Sequence, residues 1–157
     1  MIFSGTEIVA ELTQIGISHV VWIPDSDLGQ WESAIEASEL DLIRVCREGE
    51  AWPLAAGLWL GGASPVIAIQ TTGLFESGDA MRNIVHDMQI PVFAIIGARN
   101  WLNENSKDSA KTFAQPILDA WNLNYVKVES KSDRPKLAEH YQRCKKQKEP
   151  GAILLAE

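Results

Sequence analysis

The feature that most constrains this chain is a repeated alternation of short apolar runs, rich in β-branched residues, with amphipathic stretches of helical length. Strand-length runs fall at His19 to Ile23, Leu42 to Cys46, Pro65 to Gln70, Pro91 to Gly97, Tyr125 to Val128 and Ala152 to Ala156. The segments between them are long enough to cross over and return, as parallel pairing requires. That order predicts a single three-layer α/β domain over residues 1–157, with a mostly parallel six-stranded sheet and helices on both faces. In PVIAIQ and PVFAIIG hydrophobicity is nearly continuous, as it is when both faces of a strand are covered. Those two strands are predicted to be central.

Helix signals fill the gaps. Ser4 and Glu7 stand at capping-box spacing ahead of Ile8, Val9, Leu12 and Ile15, and Gly16 closes the run. Further helices are expected near Leu28 to Ala37, Ala51 to Gly61, Ser77 to Met88, Ala110 to Trp121 and Arg134 to Lys146. Pro53 is tolerated only in a first turn, which places the start of its helix near Glu50. The longest polar loop runs from Asn100 to Lys111.

Composition then removes several function classes. With 46% apolar and 22% charged residues the chain can build a packed core, which excludes wholesale disorder. Its net charge of −7 argues against a nucleic-acid partner, and the one basic run, Arg143 to Lys148, reads as a solvated helix end. Cys46 and Cys144 form neither a disulfide framework nor, with the histidines, a metal-site spacing. An acidic residue comes too early for a signal peptide, and no apolar run approaches the ~20 residues that span a bilayer. A cytoplasmic protein without a membrane partner is expected. His86 reads as a surface or interface residue, His140 as part of a polar helix, and both cysteines as packing residues.

In open α/β sheets ligands bind beyond the carboxyl ends of the strands, so the junctions there are the places to look for chemistry. Four are informative: Pro24-Asp25-Ser26, Arg47-Glu48-Gly49-Glu50, Thr71-Thr72-Gly73-Leu74 and Ala98-Arg99-Asn100. Glu48 and Glu50 flank a glycine just before a small-residue helix. A carboxylate there is partly desolvated, which suits a group that shares a proton with a ligand nitrogen; equally, an acid there caps the helix and complements its dipole. Thr71, Thr72 and Gly73 offer hydroxyls and a place where backbone can approach a flat ligand closely. Arg99 can clamp a sulfonate, phosphonate or carboxylate, or pair with a neighbouring acid. Neither the glycine-rich dinucleotide fingerprint nor the P-loop pattern occurs.

The order of these junctions resembles the pyrimidine-binding (Pyr) domain of thiamine diphosphate enzymes. Within that family it is similar to the separate α subunit of sulfopyruvate decarboxylase and the N-terminal half of phosphonopyruvate decarboxylase. IPDS at Ile23 to Ser26, REGEAWPLAAG at Arg47 to Gly57, QTTGL at Gln70 to Leu74 and IPVFAIIGAR at Ile90 to Arg99 carry the resemblance. It is dense from Glu7 to Gly97 and looser to Glu157. The family's cofactor-activating glutamate precedes a small-residue helix closing in Ala-Ala-Gly. Counting back from Gly57 selects Glu48, with Glu50 as its rival.

What the resemblance implies follows from the cofactor. Glu48 would be catalytic, its carboxyl bonding the pyrimidine nitrogen and favouring the imino tautomer that deprotonates the thiazolium. A 2-oxo acid would then lose carbon dioxide and leave as an aldehyde. Thr71, Thr72 and Gly73 would line the cofactor, and Asp25, Ser26 and Arg99 the substrate. The family holds the diphosphate and Mg²⁺ through Gly-Asp-Gly and a downstream Asn on a PP domain. Gly78-Asp79-Ala80 lacks the second glycine, so a separate PP-domain β subunit and a hetero-oligomer are implied. This chain also departs from the family at Phe75-Glu76, where Gly-Asn is usual, at Asn100, and at Trp52-Pro53. The alternatives are a half-subunit of a thiamine carboligase and a non-catalytic α/β binding module.

Overall fold

The computed structural model describes residues 1–157. Its strands are β1 (His19–Trp22), β2 (Asp41–Arg44), β3 (Pro65–Gln70), β4 (Phe93–Ala98), β5 (Tyr125–Val128) and β6 (Gly151–Ala156). They form one sheet in the order β2-β1-β3-β4-β6-β5, and every pairing is parallel. The two apolar runs are central, with every residue of β3 and β4 buried.

The helices are α1 (Gly5–Gln14), α2 (Glu32–Glu36), α3 (Glu48–Leu60), α4 (Thr71–Glu76), α5 (Gly78–Arg82), α6 (Ser109–Ala120) and α7 (Pro135–Gln147). Because successive strand residues point to opposite faces, the central strands feed two cores. Val20, Trp22, Val66, Ala68 and Ile95 pack with Ile8 and Leu12 of α1, Ile35 of α2 and Leu137 of α7. Val21, Ile67, Ile69 and Ile96 pack with Trp52 and Ala55 of α3, Met81 of α5 and Leu118 of α6. Side chains thus sort to α1, α2 and α7 on one face and to α3, α5 and α6 on the other.

Local chemistry sets the element ends. Ser4 caps α1 in a complete capping box with Glu7, and Gly16 takes the left-handed conformation at φ 81° just after the helix. Asp108 caps α6 by accepting from the Ala110 N–H, so the polar loop stops short of Lys111. The second strand ends at Arg44 and not at Cys46, and the fourth begins at Phe93, beyond Pro91, which has no N–H for the ladder.

Three helices differ from the sequence expectation. α3 starts at Glu48, so Pro53 lies in its second turn and returns no N–H to the Gly49 carbonyl. The helix expected from Ser77 begins at Thr71, directly off β3. Buried Ser77 donates back to the Gly73 carbonyl where α4 gives way to α5, and a π turn over Asn83–Asp87 completes the segment. The segment from Leu28 splits into a 3-10 turn, Leu28–Trp31, and the short α2. No helix is long and apolar enough to cross a membrane.

The topology decides where a crevice opens. The chain moves outward from β1 to β2 and then crosses to β3 on the other flank of β1, so the loops leaving β1 and β3 diverge.

Candidate active site

Glu48 is the first residue of α3 and is half-buried. Its side chain lies across Gly73 of α4. A Cβ on that glycine would come 2.7 Å from Glu48 Oε1, so only a residue without a side chain leaves the carboxylate in place. Glu50 is exposed, and its Oε2 accepts from the Cys46 N–H at 3.1 Å. Glu50 thus ties its carboxylate to the backbone just ahead of α3. Glu76 bridges the same turn: Oε1 accepts from Arg47 Nε at 2.9 Å and Oε2 from the Gly49 N–H at 2.7 Å. The Arg47 bond, then the Gly49 N–H, holds the Glu76 carboxyl below the usual range. Neither oxygen of Glu48 accepts a hydrogen bond from the chain, in contrast to both neighbours.

Thr71 is fully buried, and its hydroxyl donates to the Gly97 carbonyl at 2.8 Å while accepting from the Arg99 N–H at 3.3 Å. That corrects the expectation of a cofactor-facing hydroxyl: Thr71 ties the end of β3 to the end of β4. Thr72 is exposed and donates to Gln70 Oε1 at 3.3 Å.

A polar pocket of about 280 Å³ opens beside this patch, lined by Asp25, Ser26, Asp27, Gln70, Arg99 and Asn100. It sits over the β1/β3 divergence, and it brings together the three residues expected at the substrate. Asp25 Oδ1 accepts from the N–H groups of Asp27 and Leu28 at 2.7 and 2.9 Å, but Oδ2 is buried without a partner. Burial pushes its carboxyl up, against those two N–H donors. Arg99 Nε meets Asp108 Oδ2 at 3.0 Å, so both of its sequence readings have a basis: it is paired with an acid, and it lines the pocket.

Sequence reading missed Glu157, which follows β6. Its carboxyl lies against Gly97, where a Cβ would come 2.7 Å from Cδ. Gln70 Nε2 donates to Oε2 at 3.3 Å, while Oε1 is buried and unpartnered. Burial first, then the nearby Asp25 and Asp27, push this carboxyl up to about 8. The signal was present as a lone acid directly after an all-apolar strand, at the same sheet edge as the four junctions considered.

Other expectations resolve simply. Cys144 is buried as a packing residue, whereas Cys46 is exposed, and the two form no disulfide. His140 is buried and not on a polar face, with Nε2 at 3.1 Å from the Asn124 carbonyl, and burial lowers its pKa. His86 is exposed. Arg143, Lys145, Lys146 and Lys148 form an exposed helix end.

No protein-family model matches the chain. It is 32% identical over 92 residues to a phosphonopyruvate decarboxylase of Streptomyces viridochromogenes and 30% identical over 93 residues to one of Streptomyces hygroscopicus. Those matches take in 58% and 59% of this chain but only 23% of either relative, so the chain corresponds to about a quarter of their length. The fold is similar to that of a 2-oxoglutarate:ferredoxin oxidoreductase from Magnetococcus marinus, solved with 2-oxoglutarate, coenzyme A and succinyl-CoA bound. The TM-score is 0.66 at 11% identity, over 98% of this chain and 29% of that one. In sequence the chain is related to part of the phosphonopyruvate decarboxylases, and its single all-parallel α/β domain shares the fold of part of that oxidoreductase.

Proposed function

We propose that this chain is the Pyr-type α subunit of a thiamine diphosphate-dependent 2-oxo acid decarboxylase of the sulfopyruvate or phosphonopyruvate type. A separate PP-domain β subunit completes it in a hetero-oligomer. The observation that carries this reading is Glu48, a half-buried carboxylate laid over a floor without a Cβ and free of hydrogen bonds from its own chain.

The residues present fit one end of the cofactor. Glu48 offers a carboxyl to the pyrimidine nitrogen, and Gly73 leaves room beside it. For the charged end the chain has no counterpart. Asp79 accepts from Arg82 and Asn83, and no group of three or more His, Cys, Asp or Glu is arranged to hold a metal. A match that spans only a quarter of the relatives is consistent with a partner domain, which would hold the diphosphate and Mg²⁺.

When bound, thiamine diphosphate supplies a nucleophilic carbon and an electron sink for the loss of carbon dioxide. Glu48 holds a proton against the ring nitrogen. Thr71 fixes the strand ends that carry Gly73 and Arg99, and Thr72 orients Gln70 beside the pocket. Asp25, Ser26 and Arg99 receive the 2-oxo acid, with the guanidinium facing its carboxylate.

Glu48→Gln and Glu50→Gln, assayed with PP partner in excess and saturating cofactor, test the assignment. The amide keeps the size of Glu48 but cannot share a proton, so turnover should fall by at least ~10²- to 10⁴-fold, with melting and assembly unchanged. Glu50→Gln should lose far less. Near wild-type turnover in Glu48→Gln would move the chemistry elsewhere. With the partner present, cofactor at a hundredfold over its Kd should stabilise the complex by about 2.7 kcal/mol; the chain alone should show no such shift in melting.

A further inference from the structure

We propose that Glu76 is a positioning residue for Glu48, gripping the residues on either side of it and so fixing the direction in which the Glu48 side chain leaves the first turn of α3. The inference rests on Glu48 being the group that meets the cofactor. Its geometry stands without that reading. Arg47 occupies the N-cap position of α3 and makes no side-chain cap, which leaves the first N–H groups of the helix in need of an acceptor. Glu76 supplies one from another helix. Its Oε2 takes the Gly49 N–H at 2.7 Å, and its Oε1 takes Arg47 Nε at 2.9 Å and Nη2 at 2.5 Å.

Glu48 is therefore held on both flanks while its own carboxylate stays free. Gly49 is itself crowded by the clamp, since a Cβ there would come 3.2 Å from Glu76 Oε2. The floor and the clamp share one origin: Gly73 and Glu76 are three residues apart on α4, hence neighbours on one helix face. A shift of α4 moves both together, so the Glu48 carboxylate keeps its seat relative to the surface it lies on. Of the two grips the backbone one matters more. Arg47 is 72% exposed, and an ion pair in solvent holds little. An acceptor for an otherwise unpaired helix N–H fixes the turn itself.

The experiment uses the full chain, alone for amide exchange and with PP partner and cofactor for turnover. Glu76→Ala should speed exchange of the Gly49 amide by on the order of tenfold, which is the effect of removing one hydrogen-bond acceptor. It should lower kcat by on the order of ten- to a hundredfold with KM within about twofold, because misplacing a reacting group costs rate and not binding. Glu76→Gln, which retains an acceptor oxygen, should recover most of both. Arg47→Ala should change either by less than about threefold. Unchanged Gly49 exchange in Glu76→Ala, a raised KM at constant kcat, or an equal loss in Arg47→Ala would overturn the proposal. Glu48→Gln run alongside separates the two readings. If it retains turnover, the role of Glu48 fails, whereas Gly49 exchange still reports whether the clamp exists.

Discussion

Two neighbourhoods of carboxylates share the carboxyl edge of this sheet, and they solve opposite problems. Around Glu48 the acids are supplied with donors: Glu76 has Arg47 and the Gly49 N–H, Glu50 has the Cys46 N–H, and only Glu48 is left open. Nearby, Asp25 in the adjoining pocket and Glu157 after β6 each bury an oxygen without a partner, and the pocket's one cation, Arg99, is engaged by Asp108. The first region is arranged before any ligand arrives, with donors from the chain holding Glu76 and Glu50 around an open Glu48. In the second, burial raises the pKa of both Asp25 and Glu157. Carboxyls along one sheet edge are thus tuned in opposite directions: hydrogen bonds from Arg47 and the Gly49 N–H lower the pKa of Glu76, whereas burial outweighs the donors at Asp25 and Glu157.

The comparison breaks most visibly at Gly73. Gly73→Ala places a methyl where Glu48 lies, so turnover should fall by on the order of a hundredfold while the Glu157 titration is untouched. Kinetics paired with carbon-13 spectra of labelled glutamates would check both halves. The next effect is on stability. Glu157 has its folded pKa raised to about 8 from 4.5, so its proton stabilises the fold. That contribution is complete below about pH 4.5 and is lost as pH rises through 8. Between pH 5 and 9 the wild type should lose about 1–3 kcal/mol that Glu157→Gln does not, read from denaturant melts across pH. A parallel decline in both proteins would show that Glu157 is not the source. The smallest effect belongs to neither region: Ser4→Ala removes the α1 cap and should cost about 1 kcal/mol with turnover unchanged. A loss of activity there would mean that global stability, and not local arrangement, is what the other variants report.

Legibility in the sequence followed how local the determining physics was. PVIAIQ and PVFAIIG announced β3 and β4 because double burial is written residue by residue, and Ser4 with Glu7 announced a cap that needs only four consecutive positions. The start of α3 was misplaced because Glu76, from a helix far along the chain, satisfies its first turn, so Pro53 did not have to lie within it. Thr71 was read as facing a ligand because a hydroxyl at a strand end looks the same whether it meets solvent or the neighbouring strand's carbonyl; the pairing of β3 with β4 decided it. Glu157 escaped notice for the same reason. Its burial depends on Gly97 and Asp25, which the sheet order alone brings to it.

The place of β6 has a consequence for how the chain folds. It is the last of the six strands in sequence, yet it lies between β4 and β5, and β5 has no other strand to pair with. While a ribosome is still making the segment around Gly151–Ala156, β5 can be present but has no strand to dock on. Completion of the sheet therefore waits on contacts between residues far apart in the chain, the kind that close slowly. A truncation that removes β6 would take away an internal plank and not a fringe, leaving β4 with an open edge and β5 without a sheet.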